Sequence, residues 1–476
     1  MNIIQRFFSV EYMVKKEQML GEPLETRAAY SNLLNIAIPS IIEMVFVALI
    51  GSVDVIMVGR LGYEAIAAVG LAGQPWFIVL SMFIALNVGV TAIVARRKGE
   101  NLPDKASQTV RNALVLVVGL TVVVTTLTLV FSRQILLIAG AIPGETLEMA
   151  DEYFRIMVYF LPVNTITLCI NAAQRGVGDT RITMVANLAA NVANIIGDLL
   201  LIYGNWGFPK LGVAGDAWGS GIGFCVGMIV SVVAAFTSKG SSHFLHISLK
   251  EDWRLKKETV MSILKIGGNS AIEQVAQRIG FFIYVIVIAN LGTEVFAAHQ
   301  VGMQFLSLSF NFASGLATAG ITMVGQMLGQ KRADLATIYG KCAQRLAVIT
   351  SILLASSIVL FRYPFIGIFL DRKDAANFMT VDIAASIMLM VALIQLPQTS
   401  SAVFAGCLRG AGDNLYVAIT MIICVTFIRP VLCIVAVYIF KVGVIGAWSA
   451  AFVEMCVRLT FVYRRFSGTK WHDIKV

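Results

Sequence analysis

The octapeptide LGYEAIAA at residues 61–68 returns 230 residues later as LGTEVFAA at residues 291–298. Two further pairs of motifs repeat at nearly the same offset: SIIE at 40–43 with SAIE at 270–273, and QRGVGD at 174–179 with LRGAGD at 408–413. Similar motifs in the same order indicate an internal duplication. The sequence therefore predicts two halves with the same fold and the same chain direction.

The composition is typical of a membrane protein. Of the 476 residues, 58% are hydrophobic and only 14% are charged, whereas soluble domains are about 25% charged. A transmembrane helix needs about 20 mostly apolar residues. Stretches of that kind run over 34–58, 68–95, 108–130, 152–172, 183–203, 214–236, 262–288, 297–327, 342–362, 378–405, 415–439 and 445–463. We therefore expect an all-α integral membrane protein with twelve transmembrane helices in two six-helix bundles related by the repeat.

The basic residues predict the orientation of the chain. The net charge is +9, but Lys and Arg lie in short clusters between apolar stretches, so nucleic acid is not an expected partner. Loops rich in Lys and Arg alternate with poorer ones, and the positive-inside rule places the richer loops in the cytoplasm. We expect a multi-pass protein of the cell (inner or plasma) membrane with both termini cytoplasmic. Its predicted parts are a cytoplasmic tail (1–30), an N-terminal bundle (31–237), a cytoplasmic linker (238–258), a C-terminal bundle (259–465) and a second tail (466–476).

Several short motifs, taken together and in order, resemble the multidrug and toxic compound extrusion (MATE) family. They are DVIMVGRLG at 54–62, VARRKG at 94–99, the paired RGxGD loops and AAHQ at 297–300. The resemblance covers about residues 30–465. It implies a V-shaped pair of six-helix bundles that exports drugs against an inward flow of protons or sodium ions, usually as a monomer.

Charged residues inside a span are costly and are therefore candidate functional residues. Asp54 lies in the first span, and Asp198 follows Asn194 by four residues in the fifth, on the same helical face. The resemblance implies an ion site at Asp54, Asn194 and Asp198, with Ser220 in place of a threonine. Paired carboxylates could exchange protons or bind Na⁺, and the sequence leaves both open. Asp216 is expected at the outer membrane edge.

The second half differs from another branch of the family, which carries a glutamate and an aspartate there. Our alignment places Gln277 and Gln398 at these positions, and glutamine does not exchange protons near neutral pH. Other candidate cavity or gating residues, for which structural ion pairing is the alternative, are Glu43, Glu273, Arg278 and Arg429, the last with Glu454 as its expected partner.

These observations predict a secondary active antiporter that exports small organic cations in exchange for H⁺ or Na⁺. The alternative is a lipid or oligosaccharide flippase of a related two-bundle fold. The seven Cys form no CxxC pair, and neither a cofactor, a resident metal nor an enzymatic activity is predicted. The expected partners are small organic cations and membrane lipids.

Overall fold

A computed structural model describes residues 3–22, 24–141, 143–237, 244–245, 247–248, 250–369 and 378–474. Part of the predicted linker at 238–258 lies outside these residues. Within them the chain is almost entirely helical and contains no β-strand. The all-α prediction is therefore confirmed.

Eleven helices among the described residues are long and apolar enough to cross a membrane, and one bent pair of helices provides the twelfth span. The prediction of twelve spans is confirmed. The helices are α1 Ile3–Phe8, α2 Thr26–Gly59, α3 Tyr63–Gly99, α4 Pro103–Val130, α5 Ser132–Ile138, α6 Glu145–Tyr159, α7 Leu161–Val177, α8 Thr180–Leu201, α9 Val213–Thr237, α10 Lys257–Ala289, α11 Thr293–Gly329, α12 Ala333–Ile366, α13 Phe378–Gly410, α14 Asn414–Met421, α15 Arg429–Ile434 and α16 Gly443–Ser467. Two π-helical segments, Ile422–Ile428 and Val435–Ile439, make α14 and α15 part of one span.

The fourth span is broken between α6 and α7, which meet at an angle of 47°. Pro162 lies in the first turn of α7. Proline has no backbone N–H and its ring crowds the preceding turn, so it kinks or breaks a helix. Pro39 and Pro397 lie inside continuous helices, so Pro162 favours a bend here without being sufficient for one.

The duplication extends to the backbone conformation of the loops. Asn101 and Lys331, which are 230 residues apart, both have positive φ, at 56° and 59°. Few non-glycine residues adopt this left-handed conformation. The two glycines at equivalent positions of the RGxGD motifs, Gly178 and Gly412, have φ of 91° and 90°. Equivalent turns thus close equivalent helices in both halves.

The chain forms two compact units, which we call the N-terminal unit (Ile42–Gly268) and the C-terminal unit (up to Ile41, and from Asn269 onward). The chain passes from one unit to the other within α2 and again within α10. The bundle boundaries at 31–237 and 259–465 stay a prediction.

Each unit has its own apolar core. In the C-terminal unit one cluster includes Val10 and Met13 from the chain's N-terminal segment, packed with residues of α2, α11, α12 and α13. In the N-terminal unit a cluster joins α2, α3, α6 and α9, with Phe154 and Tyr153 among its members. This second core lies directly beside the acidic residues described next.

Candidate ion-coupling site

The four residues predicted to form an ion site lie together in the N-terminal unit, on α2, α8 and α9. Asp198 is fully buried, and its Oδ2 accepts a hydrogen bond from the Asn194 amide at 3.0 Å. The same amide donates to the Ser220 hydroxyl oxygen at 3.3 Å. The Asn-x-x-x-Asp spacing therefore places both side chains on one face of α8, as expected.

Asp54 completes the group. Its carboxyl lies close enough to that of Asp198 for the two to interact electrostatically. Two ionised carboxylates in one site repel each other, so the pair favours a shared proton or a cation between them. The Oδ1 atoms of both groups are buried and have no hydrogen-bond partner among the described residues. The arrangement therefore suits a proton or a cation that binds oxygen atoms.

A third acid, Asp216, joins the group although the sequence analysis placed it apart, at the membrane edge. It lies in the first turn of α9 but is only 2% exposed. Its carboxyl lies near the buried Tyr153 side chain on α6, and it interacts electrostatically with Tyr153, Asp54 and Asp198. The sequence contains a signal for this position of Asp216. Asp216 precedes Ser220 by four residues and therefore lies on the same face of α9.

A row of glycines on α9 makes room for the site. Gly215, Gly219, Gly223 and Gly227 recur every four residues and face α8. A Cβ atom at Gly219 would collide with the Asp198 carboxylate, and one at Gly223 would come within 2.7 Å of the Ala190 carbonyl oxygen. Small residues at this spacing let transmembrane helices approach closely. The four-residue spacing of these glycines is visible in the sequence and is a signal for close packing that hydropathy alone does not contain.

Glu43, a candidate gating residue, is an ion-pair partner in the N-terminal unit. It is 3% exposed and pairs with Arg175 of the first RGxGD motif at 3.1 Å. It also accepts hydrogen bonds from the Thr183 hydroxyl at 2.9 Å and the Asn187 amide at 2.6 Å. Its charge is therefore fully compensated within the unit.

Glu273 makes the equivalent contact in the C-terminal unit. It pairs with Arg409 of the second RGxGD motif at 2.6 Å and accepts a hydrogen bond from Gln277 at 2.8 Å. Each half thus connects its SxxE helix to its RGxGD loop by a buried ion pair. Glu43 and Glu273 thus both form the ion pairs that structural pairing requires, and their gating role stays a prediction.

The remaining candidates lie in the C-terminal unit. Arg429 is buried and pairs with Glu454 at 2.5 Å, and Arg458 approaches the same carboxylate at 3.3 Å. Gln398 is buried on α13, where its side-chain carbonyl has no partner among the described residues. Arg278 is exposed on α10. In the part of the chain that the structure describes, no group of three His, Cys, Asp or Glu side chains could hold a metal ion.

Comparison with known proteins identifies the family. A family model described as MatE matches residues 39–200 and 270–435, which together cover more than half of the chain. The chain belongs to the MatE family. The two matched segments fall one in each half of the duplication, as expected if each half carries a copy of the MatE fold.

Curated relatives of this MatE chain are named as transporters rather than enzymes. A probable multidrug resistance protein NorM of Thermotoga maritima is 27% identical over 448 residues, which cover 92% of each chain. An uncharacterized transporter, YisQ, of Bacillus subtilis is 24% identical over 92% of this chain and 94% of its own. Among solved structures, a multidrug resistance MATE family transporter in an outward-facing conformation has a TM-score of 0.85 at 22% identity and covers 92% of this chain and 96% of its own. The MatE fold is therefore established, and the protein is a multi-pass membrane transporter.

Proposed function

We propose that the protein is a secondary active antiporter that exports small organic cations in exchange for H⁺ or Na⁺ by alternating access. The single observation that carries this proposal is the buried group of Asp54, Asp198 and Asn194 with Ser220. Relatives named as multidrug resistance proteins support export of small molecules.

The chemistry of exchange follows from the charge of this group. Uncompensated acids inside a membrane are costly, so Asp54 and Asp198 must hold protons, a metal cation or an organic cation. A ligand that binds one conformation better than the other shifts the conformational equilibrium toward it. Occupation of the acids by one cation species therefore releases another, which is the requirement for antiport.

Both coupling ions remain in the proposal. The electrostatic interaction of Asp54 with Asp198 suits a single shared proton, as in other paired carboxyls. Carboxylate, amide and hydroxyl oxygens of Asp54, Asp198, Asn194 and Ser220 equally provide the ligands that hard cations prefer. The C-terminal unit has no such group at Gln277 and Gln398, so we place the coupling site in the N-terminal unit alone.

Flippase activity is the second candidate function, and the names of the relatives favour export over it.

We further propose that the protein acts as a monomer in the cell membrane, surrounded by lipids, with both termini in the cytoplasm. The clusters of Lys and Arg at the ends of the chain and at 96–98 support this orientation.

A transport assay in inside-out membrane vesicles tests the coupling. We expect uptake of a fluorescent organic cation into the vesicles to be driven by a proton or a sodium gradient, and Asp198→Asn to reduce it to background. If protons are the coupling ion, uptake persists without sodium and is abolished by a protonophore. If sodium is the coupling ion, uptake requires sodium and persists in the presence of a protonophore.

The control variant is Glu145→Gln, which removes an exposed acid of the same unit at the start of α6. It should transport at the wild-type rate. Wild-type uptake in an Asp198→Asn protein that reaches the membrane would contradict the proposed site, and uptake independent of both gradients would contradict antiport.

A further inference from the structure

A basic cavity lies at one end of the N-terminal unit, away from the acidic group. Its volume is about 500 Å³, within the range of small-molecule binding pockets. Four cations and one acid line it: Arg97, Lys105, Lys256, Lys257 and Glu258. The lining therefore carries an excess of three positive charges.

Three separate elements bring these cations together. Arg97 lies in the last turn of α3, Lys105 in the first turns of α4, and Lys256 and Lys257 at the start of α10. Arg97 is paired with Glu100 at 2.7 Å. The three lysines form no ion pair with any residue that the structure describes, and they are exposed. With Glu258 in the same lining, the three lysines leave a net charge of +2 for an anionic ligand.

The wall formed by the linker is held in place by specific contacts. Arg111 on α4 forms an ion pair with Glu251 and donates a hydrogen bond to the Asp252 carbonyl at 3.1 Å. The side-chain amide of Asn112 makes two hydrogen bonds to the linker. Its nitrogen donates to the Arg254 carbonyl and its oxygen accepts from the Lys256 backbone N–H, both at 3.1 Å. The backbone of Lys256 is therefore held in place by a hydrogen bond to α4.

The equivalent helix ends in the C-terminal unit have different side chains. At the offset of 230 residues, Arg97, Lys105 and Gln108 correspond to Met327, Leu335 and Ile338. In the C-terminal unit these apolar residues belong to a core cluster that includes Val10 and Met13 of the N-terminal segment. The same backbone position is therefore apolar and covered in one unit, and basic and open in the other.

The position of the cavity indicates which anion it binds. α3 ends at Gly99, and α4 and α10 begin at Pro103 and Lys257, so we expect the cavity to lie where three spans reach the boundary of the bilayer. Phospholipid headgroups occupy this level. Basic pockets between transmembrane helices on the cytoplasmic side bind anionic headgroups, and the orientation proposed above places these helix ends on that side. The Gln108 amide adds a hydrogen-bond donor to the lining, whereas the Thr109 hydroxyl donates to the Lys105 carbonyl.

We propose that this cavity binds the phosphate group of an anionic phospholipid. The proposal is independent of the proposed antiport, since it uses none of the acidic residues of the coupling site. A lipid bound here joins the linker to the ends of α3 and α4 and adds to the stability of the N-terminal unit, because a ligand that binds only the folded state stabilises it.

Titration of the purified full-length protein in detergent tests this proposal. The probes are soluble short-chain phosphatidylglycerol, short-chain phosphatidylcholine and inorganic phosphate, and the readouts are the dissociation constant and the thermal unfolding temperature. We expect phosphatidylglycerol to bind and to raise the unfolding temperature, phosphatidylcholine to have no effect, and phosphate to bind more weakly. Lys256→Gln/Lys257→Gln should weaken phosphatidylglycerol binding by about tenfold or more.

The control is Lys15→Gln/Lys470→Gln, which removes the same charge from two exposed lysines near the chain ends and should bind as the wild type does. Equal affinity in the Lys256/Lys257 variant would overturn the proposal. So would inorganic phosphate that binds as tightly as phosphatidylglycerol, because the ligand would then come from solution. If the double variant fails to fold, Lys105→Gln, at an exposed position of the same cavity, tests the same prediction.

Discussion

At the scale of single residues, the acidic group was predictable only in part. Asp54, Asn194, Asp198 and Ser220 could be named from intramembrane charge, helical spacing and family resemblance, and the structure places them together. Asp216 was missed because a charge in the first turn of a helix is usually solvated, and sequence does not show that Tyr153 would cover it. Burial by a distant helix is a tertiary property that periodicity does not contain.

The contribution of Asp216 can be tested by removing its charge. Asp216→Asn should raise the concentration of coupling ion needed for half-maximal transport by about tenfold, because a nearby buried negative charge favours cation binding. Tyr153→Phe removes the neighbouring hydroxyl but keeps the charge of Asp216, so it should cause a smaller shift. The measurement is transport rate against ion concentration in proteoliposomes, and an unchanged half-maximal concentration in Asp216→Asn would exclude this acid from the site.

At the scale of helices, the sequence predicted that the spans exist but placed their ends too far inward. The ninth span was predicted at 342–362, whereas α12 runs over Ala333–Ile366. Hydropathy detects only the apolar centre of a helix, and the hydrogen-bonded backbone continues into polar residues such as Asp334. The bend at Pro162 could be expected from proline chemistry, whereas its angle depends on packing against neighbouring helices.

The contact between α8 and α9 leads to a prediction about Gly219. Gly219→Ala introduces a Cβ that meets the Asp198 carboxylate and backbone, and overpacking of this kind costs about 1–3 kcal/mol. We expect a lower thermal unfolding temperature together with loss of ion-dependent transport. Gly73→Ala on α3, where a Cβ would have no neighbour within 4 Å, should leave both quantities unchanged. Wild-type stability of Gly219→Ala would mean that α8 and α9 are not as closely packed as described.

At the scale of the whole molecule, duplication has kept the backbone and allowed the side chains to diverge. The buried pairs Glu43–Arg175 and Glu273–Arg409 are retained in both halves. Acids at the coupling site are confined to the N-terminal unit, whereas the buried charges of the C-terminal unit include Arg429 paired with Glu454. Interactions that hold a helix to its own unit are needed twice, but a single ion site would be sufficient for the proposed exchange. This explains why the repeat predicted the architecture more completely than it predicted the chemistry.

The retained ion pairs should therefore contribute to stability in a way that surface pairs do not. Glu273→Gln leaves Arg409 without its partner, at a cost on the order of 2 kcal/mol for a largely buried pair, whereas Arg133→Gln breaks the exposed pair with Glu148 and should cost less than about 1 kcal/mol. The double variant Glu273→Gln/Arg409→Gln should recover part of the loss, because two neutral groups need no compensating charge. Thermal unfolding of the wild type, Glu273→Gln, Arg409→Gln and the double variant, treated as a double-mutant cycle, measures the coupling between Glu273 and Arg409. Additive effects of the two substitutions would show that Glu273 and Arg409 are adjacent without being coupled. The same cycle at Glu43 and Arg175 would then decide whether the duplication preserved an interaction or only a sequence motif.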